Sequence, residues 1–315
     1  MINKKRLIKT FTDLVKIDSE SRNEVDVARY IKNKLNKLGI KYKIDKSAVL
    51  TKSNHGNIIA KLGSKKNLPT ILLSSHMDTV TNGLGIKPVI KRDSITSDGR
   101  TILGADDKSG LAIILETLEI LKRKKLNHYN VEAAITTCEE IGLLGAKFLD
   151  YNLLNSREGI VLDSTSPERL VYKGPSSDYF NIIVQGVEAH SGINPEKGIS
   201  SITASADIIS KMRTGRINSN STINIGKING GSAINIVPGR TEINCEIRSH
   251  NENTIKIELG KIKKIIENVN KKYKKINKKF NAKIKINRIY DSINIPKNSL
   301  IIKNILKTCK QFDYK

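Results

Sequence analysis

The sequence predicts an α/β protein in which a mostly parallel β-sheet is flanked by helices and interrupted by a second, smaller α+β sandwich. Three observations carry that reading. Short apolar runs alternate with amphipathic stretches through the first half of the chain, the pattern of strand–helix–strand units. Several of those runs end in acidic or imidazole side chains, where α/β sheets gather their functional groups. Near residue 176 the composition changes, and strand-like runs followed by one long basic helix take over.

Taken in order, residues 5–17 and 24–38 place apolar side chains at helical spacing, and Gly39 follows as a stop signal. IKYKID (40–45) and NIIAKLG (57–63) read as strands. TILLSSHMD (70–78), bounded by Pro69, reads as a strand buried on both faces. A glycine-rich stretch from Asp98 to Gly110 opens a helix that continues to Lys125. VEAAITTCEE (131–140) and GIVLDST (159–165) repeat the pattern of an apolar strand with an acidic end. Beyond the change at 176 come a strand (178–186), a helix (199–213) and two strands (221–230 and 241–250). A helix then carries Ile255, Leu259, Ile262, Ile266, Val269, Tyr273, Ile276 and Phe280 as one apolar stripe, with Lys on its other face. These features set the first domain at 1–177 and 287–315, and the inserted one at 178–286.

The chain has 315 residues and a formal charge of +24. That charge invites a nucleic-acid reading, since cationic side chains gain affinity by releasing counterions from phosphates. The excess is carried by 42 Lys against 13 Arg, whereas base and phosphate forks favour Arg. Much of it also lies on the outer face of one helix, so nucleic acid is set aside as the main partner. No run approaches the ~20 apolar residues of a membrane span. The basic N-terminus lacks the apolar stretch of a signal peptide, and three scattered Cys suit a reducing compartment. A cytoplasmic location is expected.

The chemistry concentrates in His76, Asp78, Asp106, Asp107, Glu139, Glu140 and Asp163. So many carboxylates in one place repel one another unless they are protonated, paired or bound to cations. Divalent ions answer that problem, and one imidazole among carboxylates suits Zn, Mn or Co rather than a closed structural zinc site. A shared carboxylate can hold two ions ~3.5–4 Å apart, as in two-metal hydrolases. Plainer roles stay open for some members: a turn or helix cap for Asp163, a charge at a helix N-terminus for Asp107. Cys138 reads as a buried strand residue, with no general-base His indicated beside it.

The ordered runs SSHMDTV, LGADDKSG, CEEIGLLGA and VLDS resemble the co-catalytic-metal exopeptidases. KGPSSD and the short gap between the first two runs are most similar to the peptidase-T-like branch. EAHSGINPEKGISSI (188–202) and NGGSAINIVPGRTEINCEIRSH (229–250) are similar to its second-domain signatures. The resemblance implies a catalytic domain, an inserted lid and dimerisation domain, a homodimer and a small peptide substrate. It implies two divalent ions, most often zinc, held by His76, Asp106, Glu140 and Asp163, with Asp106 bridging and Asp78 orienting His76. Glu139 would be the general base that takes a proton from a metal-bound water, and tripeptide aminopeptidase-like amide hydrolysis would follow. His190 would stabilise the oxyanion, and Asn235 and Arg248 would bind substrate. Two departures stand out: Gly239 replaces an acidic residue common after the Pro of NIVP, and no His follows His250. The family supplies a late His to its second ion, so the chain reads as C-terminally truncated. An alternative stays open, a catalytically impaired homologue acting at most as a metal- or peptide-binding protein.

Overall fold

A computed structural model of the protein describes residues 2–64, 68–124, 126–164, 166 and 168–312. Lys125 and Thr165, which the expected helix and strand runs reach, lie outside the described residues, as do Met1 and residues 313–315. The chain divides into two compact units, Met1–Arg169 with Asn304–Lys315, and Leu170–Lys303.

In the first unit the helices α1 (Lys4–Val15) and α2 (Val25–Lys37) come first. The Asn3 side chain caps α1 by accepting from the Arg6 amide at 3.0 Å. Gly39 closes α2 in a left-handed conformation, φ +59°, and the Ile40 amide turns back to the Leu35 carbonyl. There follow β1 (Lys41–Ile44), α3 (Ser47–Thr51), β2 (Ile58–Leu62), β3 (Thr70–His76), β4 (Pro88–Ile90) and β5 (Ile95–Ser97). Next come α4 (Ala105–Lys124), β6 (Asn130–Thr136), α5 (Leu144–Lys147) and β7 (Glu158–Val161). The main sheet has the order β1-β2-β6-β3-β7.

This sheet is mixed. β3 pairs in parallel with both β6 and β7, while β1–β2 and β2–β6 are antiparallel. The parallel part is the part joined through helices, as crossover connections require. Leu14, Ile31, Leu35, Ile58, Met77, Leu111, Leu118 and Ile135 form the core between sheet and helices. The expectation of a fully buried β3 needs correction, because Thr70 to Ser74 are only half-buried. Ile71 and Leu73 pack on the core, and the alternation of a strand turns Leu72 and Ser74 to the other face. Burial is complete only at Ser75 and His76.

The second unit begins with β8 (Lys173–Gly174), β9 (Ser176–Gln185) and α6 (Ser201–Ile209). It continues through β10 (Gly215–Asn218), β11 (Ser221–Gly230), β12 (Arg240–Ser249), α7 (Glu252–Lys274), β13 (Asn281–Tyr290) and β14 (Ile293–Asn294). The helix α8 (Leu300–Gln311) spans the boundary between the units in sequence. The sheet β10-β11-β12-β9-β13 is antiparallel throughout. Phe180, Ile182, Val184, Ile243 and Ile247 face Ile208 of α6 and Ile255, Leu259, Ile262, Ile266 and Val269 of α7.

Two helices are shorter than their patterns predict. Ser200 caps α6 through its hydroxyl, which accepts from the Thr203 amide, so the helix starts two residues after Ile199. α7 stops at Lys274, leaving Ile276 65% exposed, while Phe280 is buried from the turn that follows and stacks on Tyr273 at 4.9 Å. The strands 215–218 and 281–290 stand outside the elements expected from the sequence; the second alternates Ala282, Ile284 and Ile286 toward the core between Lys and Asn. Among the described residues no helix is long and apolar enough to cross a membrane.

Candidate active site

Parallel pairing sets the ends of three strands level. His76, the last residue of β3, stands opposite Thr136 of β6, so residues 137–140 continue directly past it. On the other side Ser74 stands opposite Val161 of β7, and the Leu162 amide bonds to the Ser74 carbonyl at 2.9 Å, which delivers Asp163. A fourth contribution comes from the start of α4, where Asp106 and Asp107 depart from helical dihedrals and are joined by a cis peptide.

His76 is 2% exposed and lies at the centre. Its Nε2 is 3.0 Å from Asp106 Oδ1, 3.8 Å from Asp163 Oδ2 and 3.9 Å from Glu139 Oε2. Its Nδ1 meets the Asp78 carbonyl at 3.0 Å and Asp78 Oδ1 at 3.3 Å. With Nδ1 directed into the protein, Nε2 is the nitrogen presented to the carboxylates. Two sets of three donors lie close enough to share an ion: His76, Asp106 and Glu140, and His76, Glu139 and Asp163. His76 belongs to both, and the second set includes Glu139, which the sequence resemblance implies as general base and not as ligand.

The electrostatics follow from crowding. Burial alone would lower His76, but Asp78, Glu139 and Asp163 outweigh it and push it up to about 10. Burial pushes Glu139 up to about 7; His76 opposes this, and Asp163, Glu140 and Asp78 add to it. Glu140 is raised by burial and by Asp106, and Asp163 by burial and by Asp106 against the pull of His76. Carboxylates that repel one another around an imidazole nitrogen are a fitting donor set for a divalent cation, which would relieve that repulsion.

Asp78 is fully buried and does more than hold the imidazole. Its carboxylate accepts from the Ser21 hydroxyl at 2.6 Å, the Glu139 amide at 3.0 Å and the Glu140 amide at 3.2 Å. Burial would raise it, yet His76, Ser21 and the Glu139 amide hold it below the usual carboxylate range. Asp107 points inward, 1% exposed, and accepts from the Gly110 amide at 3.1 Å, the capping bond expected of an acid at a helix start. Its other oxygen has no hydrogen-bond partner among the described residues, and burial pushes the group up to about 7.

Sequence reasoning assigned no role to Ser21, Glu24 or Lys108. Lys108 is wholly buried; its ammonium donates to the Ser19 hydroxyl and, at 2.9 Å, to the Met77 carbonyl. Burial lowers it to about 8, against the pull of Asp78, Glu24 and Asp107. Its place in the DDKSG run was its only signal. Cys138, just past β6, is buried with φ +53°, and burial pushes its thiol up to about 12, so it carries no thiolate.

The residues singled out in the second unit fall into two places. His190 is bridged to Ile236, and the Ser191 amide bonds to the Asn235 carbonyl at 3.0 Å, so His190 and Asn235 are neighbours. His190 Nδ1 accepts from the Gly192 amide at 3.2 Å, which leaves Nε2 as the donor of the neutral ring. Arg248 stands opposite Ser177 at the start of β9 and donates to Glu246 at 2.7 Å. Eight residues of β9, about 26 Å at 3.3 Å per residue, separate Ser177 from the end of the strand that leads to His190. The unit therefore does not bring Arg248 beside the other two.

Known proteins match the chain in both halves. A model of peptidase family M28 matches residues 57–191, and the M20 peptidase dimerisation domain matches residues 176–274. The Bacillus subtilis protein YqjE, uncharacterized by its name, is 40% identical over 268 residues, covering 85% of this chain and 72% of its own. Among solved structures, aminopeptidase PepT from Bacillus cereus is 36% identical with a TM-score of 0.91. A tripeptidase from Staphylococcus aureus is 34% identical with a TM-score of 0.92. Each covers all of this chain, and the chain covers 83% of each.

Proposed function

Because this chain belongs to the peptidase-T-like M20 metallo-exopeptidases, we propose that it hydrolyses the amide bond of small peptides, tripeptides foremost, at the strand-end cluster around His76. The observation that supports this most is the convergence of His76 Nε2 with Asp106, Asp163 and Glu139 within 3.9 Å.

In this reading His76, Asp106, Glu140 and Asp163 hold two divalent ions, zinc foremost, with manganese or cobalt able to substitute. When bound, the ions polarise the scissile carbonyl and acidify water. Glu139 is the general base. Its carboxylate, 3.9 Å from His76 Nε2, stands beside the proposed ligands, placed to take a proton and return it to the leaving amine. Asp78 fixes the His76 tautomer and, through two backbone amides, the turn that carries Glu139 and Glu140.

His190, through its Nε2–H, would donate to the oxyanion, with Asn235 beside it. Arg248 would fork a peptide carboxylate. The stretch of β9 between His190 and Arg248 supports their serving different sites in a homodimer built through the second unit. The test is a substrate panel of tripeptides, dipeptides and N-acyl amino acids, assayed with Zn, Mn and Co. Tripeptides should be cleaved fastest, with release of the N-terminal residue. Cleavage confined to N-acyl amino acids would reassign the substrate class. Metal binding with no turnover on any of them would favour a binding protein, an outcome given weight by His76 belonging to both donor sets.

A further inference from the structure

Glu24 is a fully buried carboxylate, 0% exposed, at the N-cap position of α2, and it does not cap that helix. Its Oε1 accepts from the Arg22 amide at 3.0 Å and from the Cys138 amide at 3.0 Å, with the Cys138 thiol at 3.3 Å. Its Oε2 accepts from the Ser53 hydroxyl at 2.6 Å. Arg22 and Cys138 both lie in the left-handed region, φ +80° and +53°, which side chains other than glycine rarely adopt. A conformation of that kind persists where surrounding bonds impose it.

Cys138 is also the residue that aims the next two. The consecutive amides of residues 138, 139 and 140 are all received by two buried carboxylates, Glu24 taking the first and Asp78 the other two. The turn is tied at its other end by the Gly142 and Leu143 amides, which bond to the Glu139 carbonyl at 3.0 and 2.7 Å. The charge this buries is offset by Lys108, whose ammonium lies within the influence of both carboxylates. Glu24 sits 114 residues from Cys138 in sequence, and among the described residues its hydrogen bonds go to Arg22, Ser53 and Cys138, so its effect on the cluster around His76 passes through the backbone.

We propose that Glu24 is a positioning residue that holds Cys138 in its left-handed conformation and thereby sets the direction of Glu139 and Glu140. This deepens the peptidase reading and rests on it for the roles of those two carboxylates. The acceptor geometry does the positioning, so a neutral side chain of the same length should serve and a charged one of shorter reach should not. Gln at 24 keeps an oxygen for the Arg22 and Cys138 amides and offers its NH₂ to Ser53. Asp at 24 keeps the charge but withdraws the oxygens by one methylene.

The test compares Glu24→Gln and Glu24→Asp with the unmodified protein by hydrogen exchange of the peptide spanning 137–141 and by titration with Zn²⁺ alone. Glu24→Asp should exchange the 138–140 amides at least about tenfold faster and bind zinc about 10–100-fold more weakly, the cost usual for losing an outer support of a metal ligand. Glu24→Gln should stay close to the unmodified protein on both. Where cleavage is measurable, Glu24→Asp should lower kcat and leave KM in place. Wild-type exchange and zinc affinity in Glu24→Asp would overturn the proposal. So would a loss in Glu24→Gln as large as that in Glu24→Asp, which would assign the role to charge. Both readouts stand without turnover, so a failure of the peptidase reading shows separately, as an unmodified protein that binds zinc and cleaves nothing.

Discussion

At the scale of single residues, the cluster separates groups that would hold ions from one that would move a proton. Glu139→Gln removes the carboxylate that accepts the proton and leaves His76, Asp106, Glu140 and Asp163 in place. Turnover should fall by about 10²–10⁴-fold, the usual worth of a general base, with bound metal retained. Asp106→Ala should instead lose metal, because Asp106 lies nearest the His76 Nε2 at 3.0 Å. Equilibrium dialysis of both variants distinguishes them, and equal metal loss would contradict the division of roles. His76, Asp78, Asp106, Glu139, Glu140 and Asp163 were all legible from the sequence, since each belongs to a short run at the end of an apolar strand or the start of a helix. Ser21 and Glu24 were not. Ser21 donates to Asp78 across 57 residues of sequence and Glu24 accepts from the Cys138 amide across 114, and nothing local marks a Ser as donor or a Glu as acceptor for so distant a partner.

At the scale of elements, the strand ends are fixed by close packing that tolerates little change. Gly145, in α5, has no room for a side chain: a Cβ there would lie 2.0 Å from the Thr137 carbonyl oxygen and 2.7 Å from its nitrogen. Gly145→Ala should therefore displace the turn that follows β6 and destabilise the protein by about 1–3 kcal/mol, seen as a lower denaturation midpoint. In the second unit, the stripe on α7 was readable as a buried face, but its period continues past the point where the helix stops. Ile276 and Phe280 test that boundary. Phe280→Ala should cost about 3–5 kcal/mol, because it empties a buried site stacked on Tyr273. Ile276→Lys, at an exposed position, should change stability by no more than about 0.5 kcal/mol. A comparable loss in both would place Ile276 in the core. A spacing of three and four cannot tell a last helical turn from a tight turn that returns an aromatic to the same core.

For the whole molecule, the Lys-rich face of α7 and the acidic site belong to different units, and they govern different responses. α7 carries many Lys on its outer face, opposite the buried stripe, where solvent screens them. Stability against acid should depend instead on buried carboxylates such as Glu132 and Glu116. Burial would raise Glu132, but Lys61, Ser156 and the amides of 155 and 156 hold it below the usual range. Burial would likewise raise Glu116, and Arg6 and the Asn3 amide lower it. A carboxyl depressed on folding contributes its stability fully above the unfolded pKa, about 4.3, and loses it as pH falls through the folded value. The acid limb of the stability curve should thus steepen below about pH 4, and Glu132→Gln should flatten it. An acid limb unchanged by that substitution would remove Glu132 from the account. The broad division into a strand–helix part and a later antiparallel part was readable from patterning. The antiparallel pairings of β1, β2 and β6 were not, because strand direction is decided by which edge a segment joins and not by its own sequence.

The central claim is that the cluster around His76 is a metal-dependent peptidase centre. It is tested most directly by titrating chelator-stripped protein with Zn²⁺ while following release of the N-terminal residue from a tripeptide. Stripped protein should show no turnover, turnover should rise as zinc binds, and Glu139→Gln should bind zinc without turnover. Saturated zinc binding by the unmodified protein with no tripeptide cleaved, or cleavage at full rate in stripped protein, would contradict it.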